Sequence, residues 1–168
     1  MIEEFKTLFS VKSSLISLYL ALTIPIPFIS IEKLKIPSTI AFIFGLFLIM
    51  SITSDYVETN DQKISYKTSF LSEIFGKKSW EVLWEDIKLI KSFSTSQGSK
   101  VYYFVTEEGK NFLVPQRIEK FEEFLMIISK KTGFDIEGLS YISPLWTYKL
   151  LTLLSVLMIT LEVAGFYF

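Results

Sequence analysis

Two long apolar stretches without a charged side chain occupy the first third of the chain. The segments 13–31 and 36–54 contain nineteen residues each. At about 1.5 Å per residue, such a helix is roughly 28 Å long, close to the ~30 Å hydrocarbon thickness of a bilayer. Only the polar residues 32–35 separate the two stretches. The pattern therefore predicts an antiparallel transmembrane hairpin over residues 1–54.

The first stretch has an alternative interpretation as a secretory signal peptide. Its apolar part is longer than the usual 7–15 residues, and no A-x-A-like cleavage site follows it. We therefore expect a retained anchor, in which Pro25 and Pro27 end or kink the helix. Lys6 and Lys12 lie on the side that the hairpin shares with the residues after Ser54, which favours a cytoplasmic location for both.

From Asp55 onward the hydrophobic period becomes that of β-strands. Trp80, Val82 and Trp84 alternate with Glu81, Leu83 and Glu85. Ile87, Leu89 and Phe93 continue the alternation. The predicted strands are 55–59, 63–70, 80–84, 87–93, 100–106 and 110–115, separated by turn residues such as Asn60-Asp61-Gln62. Six short strands predict an antiparallel sheet or partly open β-barrel within a domain over residues 55–140.

The period changes again at Arg117–Lys131, where apolar residues recur at helical spacing. We predict an amphipathic helix over 117–131 that closes one end of the barrel, with Gly133 as its C-cap. Its apolar positions are Ile118, Phe121, Leu125 and Ile128.

The last segment, 141–168, is predicted to hold a third transmembrane helix. Only the twelve residues 150–161 are uncharged between Lys149 and Glu162. The helix spans the membrane if Lys149 extends to one interface and Glu162 lies near the other. An interfacial helix is the alternative.

Composition narrows the classes of function. Half of the residues are apolar and the formal net charge is −1, which suits a small membrane protein with one soluble module and gives no basic field for nucleic acid. The chain has no Cys and no His, so it lacks thiolate nucleophiles, thiolate metal ligands and the commonest general base and metal ligand. No pair of adjacent acidic residues has a basic or nucleophilic neighbour that would make it an acid/base device. We expect no metal, no cofactor and no enzymatic activity.

Three groups of residues are candidates for binding, and each has a structural alternative. Lysines near the predicted strands form a basic edge for anionic headgroups or a solvated strand face. Three aromatic residues present a patch to a partner or belong to the core. In the last helix, Lys149 snorkels to an interface, while Glu162 either marks an ion path or polar partner or lies at the interface. The lysines are Lys77, Lys78, Lys88 and Lys91, and the aromatic residues are Phe75, Trp80 and Trp84.

The stretch 56–133 resembles bacterial pleckstrin-homology-like (PH-like) domains. The resemblance is carried by a W-x-D-I step at Trp84, Asp86 and Ile87, by the turn Gly109-Lys110, and by the closing helix. It implies a PH-like β-barrel held by two or three membrane helices. A second, weaker resemblance, carried by Phe134–Leu139 (FDIEGL), is to thylakoid photosystem assembly factors with a two-helix anchor and a β-rich domain. The arginine-containing segments of that family are not found.

These observations together predict an α+β membrane protein of a bacterial inner membrane or thylakoid, with its β-domain facing the cytoplasm. The function we expect is that of a non-enzymatic scaffold or assembly factor. It would dock proteins at the bilayer and help assemble or stabilise a larger membrane complex, photosynthetic if the membrane is the thylakoid. Two alternatives remain open: a lipid- or stress-sensing module that binds anionic headgroups, and an accessory transporter subunit.

Overall fold

The computed structural model describes residues 2–96 and 98–167, and only the backbone of Phe166 and Tyr167. Met1 and Phe168, the end residues of two predicted segments, lie outside this description. The chain forms two compact units. The β-domain comprises the residues up to Leu8 together with Ser54–Pro144, and the helical unit comprises Phe9–Thr53 together with the residues from Leu145.

The architecture is α+β, with apolar helices toward both ends and antiparallel sheets between them. The helical unit contains α1 (Phe9–Thr23), α2 (Pro25–Ile29), α3 (Glu32–Ile52) and α6 (Leu145–Tyr167). The strands of the β-domain are β1 (Glu3–Lys6), β2 (Tyr56–Thr59), β3 (Lys63–Lys67), β4 (Trp80–Leu83), β5 (Ile87–Ser94), β6 (Lys100–Thr106) and β7 (Asn111–Leu113). Its helices are α4 (Phe70–Ile74) and α5 (Phe121–Thr132).

Three helical stretches of the described chain are long and apolar enough to cross a membrane. They are Phe9–Ile29, Glu32–Ile52 and Leu145–Gly165. The first is divided at Ile24, because Pro25 has no backbone N–H to continue the regular ladder. The polar segment 32–35, predicted as the connection, is instead the first turn of α3, where Lys35 pairs with Glu32 at 2.8 Å.

Small residues shape the packing within the helical unit. Ser14, Ser17 and Ala21 are buried on α1, and Ser155 is buried on α6, so the two helices pack closely. The serine hydroxyls donate to carbonyls of their own helix, as from Ser155 to Leu151 at 2.8 Å. These bonds satisfy the polar groups of the apolar packing surface.

Between α1 and α3, the contact depends on a glycine. The Tyr19 hydroxyl donates to the carbonyl of Phe42 at 2.7 Å, and the two rings stack at 5.8 Å. A Cβ on Gly45 would clash with the Tyr19 hydroxyl and lie only 2.9 Å from its Cζ. The absence of a side chain at this position therefore allows Tyr19 to pack across α3.

The described strands of the β-domain form two antiparallel sheets. The first sheet has the order β1-β2-β3-β4 and the second β5-β6-β7, with every neighbouring pair antiparallel. No strand ladder joins the two sheets within residues 2–96 and 98–167. The antiparallel sheet that the sequence predicts is therefore confirmed, and the described strands form no closed barrel.

The first and last elements of the β-domain also differ from the prediction. Arg117 and Glu119 bond to the end of β1, with Leu8 N–H donating to the Arg117 carbonyl at 2.9 Å and Glu119 N–H to the Lys6 carbonyl at 2.8 Å. This extended pairing keeps residues 117–119 out of the helix. The chain turns at Lys120, whose φ of 53° is left-handed, and α5 begins at Phe121 rather than Arg117.

The core lies where α5 packs against both sheets. Val57, Ile64 and Phe104 from the strands are fully buried, as are Phe124 and Ile128 from α5. The predicted C-cap is confirmed, since Gly133 has a φ of 72° and its N–H donates to the Ser129 carbonyl at 2.8 Å.

Candidate docking surface

The two tryptophans of the candidate aromatic patch, Trp80 and Trp84, line the core. Trp84 is buried and its indole N–H donates to the Asn60 carbonyl at 2.8 Å, which holds the β2–β3 turn. Trp80 is half-buried, with its ring 5.2 Å from Phe112. Phe75 is exposed in the loop between β3 and β4. For the two tryptophans, the fold thus agrees with the alternative interpretation, in which they belong to the core.

The four candidate lysines lie on two separate elements. Lys77 and Lys78 are in the β3–β4 loop, whereas Lys88 and Lys91 are exposed on β5 of the second sheet. Lys77 is engaged in an ion pair with Asp55, at 2.7 Å.

In α6, Lys149 is exposed, while Glu162 is half-buried. The buried Oε2 of Glu162 has no hydrogen-bond partner in the part of the chain that the structure describes. Thirteen residues separate Lys149 from Glu162, about 20 Å along a helix, so they do not pair. Among the described residues, no group of three His, Cys, Asp or Glu side chains is placed to hold a metal.

A cleft lies between the outer strands β4 and β7, and both lysines that line it form ion pairs. Lys63 and Glu81 are 2.7 Å apart, as are Lys110 and Glu108. Hydrogen bonding by the two lysines lowers the pKa of Glu81 and of Glu108. Phe112 also lines the cleft. The charges of Glu81 and Glu108 are thus compensated by neighbouring lysines.

An exposed apolar surface lies on the second sheet, and a β-bulge contributes to it. The pairing shifts between Ile87, opposite Thr106, and Leu89, opposite Val105. The extra residue turns the strand, so Ile87 is buried while Leu89 is on the outer face. The predicted alternation of Ile87, Leu89 and Phe93 is therefore interrupted at this point.

We define the outer apolar face as Leu89, Lys91, Phe93, Tyr103 and Leu113. Lys91, Tyr103 and Leu113 form one cross-strand row through β5, β6 and β7. Leu89, Phe93 and Leu113 are 41%, 47% and 49% exposed. The Phe93 and Tyr103 rings meet edge to face at 5.6 Å, and the Lys91 ammonium lies 5.0 Å from the Phe93 ring centre. The face is thus aromatic and aliphatic with one cation.

A second arrangement missed at the sequence level is centred on Asp55, which is buried. Its carboxylate accepts hydrogen bonds from the Tyr66 hydroxyl at 2.9 Å, the Ser72 hydroxyl at 3.1 Å and the Lys77 ammonium at 2.7 Å. It also accepts from the Ser69 backbone N–H at 3.3 Å. Burial, reinforced by this carboxylate, raises the pKa of Tyr66.

These bonds hold the loop that contains α4. The prediction that the strand continues to Phe70 was wrong, because β3 ends at Lys67. Ser69 instead caps α4, accepting from the Ser72 N–H at 3.2 Å. A serine directly before a short apolar run is an N-cap signal that the sequence did contain. No sequence pattern marked Asp55.

No family model matches the chain. The chain is 30% identical over 154 residues to a cyanobacterial protein, "Uncharacterized protein slr0269" of Synechocystis sp.. The alignment covers 88% of this chain and 77% of that protein. This similarity extends through most of both proteins, and the chain therefore belongs to the same protein family as slr0269.

Proposed function

We propose that this protein is an integral membrane protein whose β-domain docks a protein partner and so helps to assemble or stabilise a membrane complex. Three helices that are long and apolar enough to span support the membrane anchor. The proposed membrane is a bacterial inner membrane or thylakoid, with the β-domain on the cytoplasmic side. A similar cyanobacterial protein is consistent with either membrane.

We further propose that the β-domain is PH-like. This proposal is supported by the order of the elements. An antiparallel sheet of four strands is followed by one of three strands and then by a helix that packs against the core. Because one fold hosts many functions, the function has to be argued from a surface.

The outer apolar face is the observation that carries the docking function. The solvent side of an antiparallel sheet is normally polar. Here Leu89, Phe93 and Leu113 stand on that side, each about half exposed. Contiguous apolar patches of this kind typically mark interaction sites, and buried aromatic anchors contribute most of the binding energy of interfaces.

The single cation indicates the chemistry of the partner. Lys91 lies along the face, over the ring of Phe93. A partner with an apolar surface and one carboxylate opposite Lys91 would cover the face and pair its charge. Since the chain is proposed to be held at the bilayer, this partner is expected to be a membrane protein with a cytoplasmic acidic and apolar surface.

The test is co-purification of a tagged full-length chain in mild detergent. The triple variant Leu89→Thr, Phe93→Thr and Leu113→Thr removes the apolar face but keeps residues that suit strands. Met126→Gln is the matched control, because Met126 is an exposed apolar residue on α5. We expect the triple variant to lose a membrane-protein partner that the wild type and the control retain.

The proposal is refuted if the wild type migrates alone in mild detergent. It is also refuted if the triple variant, with an unchanged melting temperature, recovers the partner in the same amount as the wild type.

A further inference from the structure

The loop between β3 and β4 exposes large apolar side chains at its tip. In this loop, which we call the apolar loop (residues 68–79), Phe70 is 76% exposed, and Ile74 and Phe75 are each 63% exposed. Phe70 and Ile74 delimit α4, and Phe75 follows directly. Exposure of three such side chains within six residues is unfavourable in water.

Strand pairing places the apolar loop at one particular end of the first sheet. Lys6, the last residue of β1, pairs with Tyr56, the first residue of β2, and Tyr56 also pairs with Lys67, the last residue of β3. The loop that follows leads to Trp80, the first residue of β4. All four strands thus begin or end together where the apolar loop leaves the sheet.

The same end of the sheet connects to two of the proposed membrane spans. Phe9 begins α1 only three residues after Lys6, and Tyr56 follows the end of α3 at Ile52 by four. At no more than about 3.6 Å per residue, these connections reach at most roughly 11 and 14 Å. The segments that connect this end of the sheet to two of the proposed spans are therefore short.

The loop is held in place by polar contacts on its inner side. Ser69, Ser72 and Lys77 all bond to the buried Asp55 carboxylate. Glu73, the acidic residue of the loop, accepts from the Ser79 hydroxyl at 3.0 Å. The serines that bond to Asp55 thus lie inward, whereas Glu73 and Ser79 are exposed together with the three apolar side chains.

We propose that the apolar loop inserts Phe70, Ile74 and Phe75 into the interfacial layer of the bilayer that the chain itself spans. This inference rests on the membrane insertion proposed above, and is independent of the docking face. Lys67 and Lys78 flank the apolar tip, and lysines near a membrane surface attract anionic headgroups. The loop thereby fixes the orientation of the β-domain on the membrane.

The absence of cysteine in the natural chain allows a direct test by site-specific labelling. Single cysteines are introduced in the full-length protein as Ile74→Cys in the loop, Phe44→Cys in the middle of α3, and Gln62→Cys. Gln62 is the matched control, because it is exposed in the β2–β3 turn at the opposite end of the same sheet. Each single-cysteine variant is labelled with an environment-sensitive fluorophore and reconstituted into phosphatidylcholine–phosphatidylglycerol vesicles. The quenching of its fluorescence is then measured with brominated lipid and with aqueous iodide.

We expect brominated lipid to quench labels at 74 and 44 several-fold more than the label at 62, and iodide to show the reverse order. If the label at 44 is quenched by brominated lipid but that at 74 behaves like that at 62, the loop inference is overturned and membrane insertion stands. If aqueous iodide quenches the label at 44, both the loop inference and the proposed membrane insertion are refuted. A label at 74 that is shielded from both quenchers indicates protein contact and overturns the lipid assignment.

Discussion

Removing the Asp55 carboxylate should destabilise the β-domain, because this buried group links three parts of it. The substitution Asp55→Ala deletes the acceptor for Tyr66, Ser72 and Lys77. Ser72 is fully buried, and the Tyr66 hydroxyl is in a partly buried position. Their hydrogen bonds to the carboxylate cannot be replaced easily by water.

The expected loss of stability follows from the strength of these hydrogen bonds. A hydrogen bond to a charged group contributes roughly 1.5–3 kcal/mol, so the two shielded bonds to Asp55 give about 3 kcal/mol at the lower limit. The Lys77 side chain is 44% exposed, so its ion pair adds at most about 1 kcal/mol. For a domain of about 100 residues, 1 kcal/mol corresponds to roughly 4–8 °C, and we expect the Tm to fall by roughly 12–24 °C.

The assay is thermal unfolding of the full-length protein in detergent, followed by tryptophan emission. Trp80 and Trp84 report on the β-domain. Lys77→Met serves as the comparison, since it removes only the partly exposed ion pair and should lower the Tm by a few degrees at most. If Asp55→Ala lowers the Tm no more than Lys77→Met, the buried hydrogen bonds do not stabilise the domain as argued.

Two further predictions concern the partly buried Tyr66 hydroxyl and a helix contact. The fold raises the pKa of Tyr66 and so favours its neutral form. The contribution of this group to the free energy of unfolding is therefore complete below about pH 10, and it is lost as the pH rises further. Tyr66→Phe should flatten the alkaline fall in Tm, and parallel pH profiles would refute this. Gly45→Ala displaces Tyr19 and should destabilise the helical unit by about 1–3 kcal/mol in detergent-denaturant titrations. Gly165→Ala, which meets no atom within 4 Å, should have no effect; equal stability of both variants would contradict the packing argument.

Features that depend on neighbouring residues along the chain were predictable from the sequence. The three apolar stretches were recognised because the length and apolar content of a segment are local properties. The helical period of residues 121–132 and the cap at Gly133 are also local. Even here the first boundary of α5 was wrong, since Arg117 and Glu119 are used to pair with β1. That strand was not predicted, because a short charged segment becomes a strand only when β2 lies beside it.

Only the tertiary structure decided which side chains face outward. Alternation predicts a common face only while the strand register is unbroken, and the bulge after Ile87 places Leu89 on the outer surface. Trp84 is buried because its indole N–H meets the Asn60 carbonyl across a turn. Asp55 became the centre of a network because residues 11 to 22 positions later in the chain converge on it. Contacts between distant segments set these features, so the apolar stretches show where the chain can cross a membrane, whereas the folded β-domain determines which surfaces are available for contact.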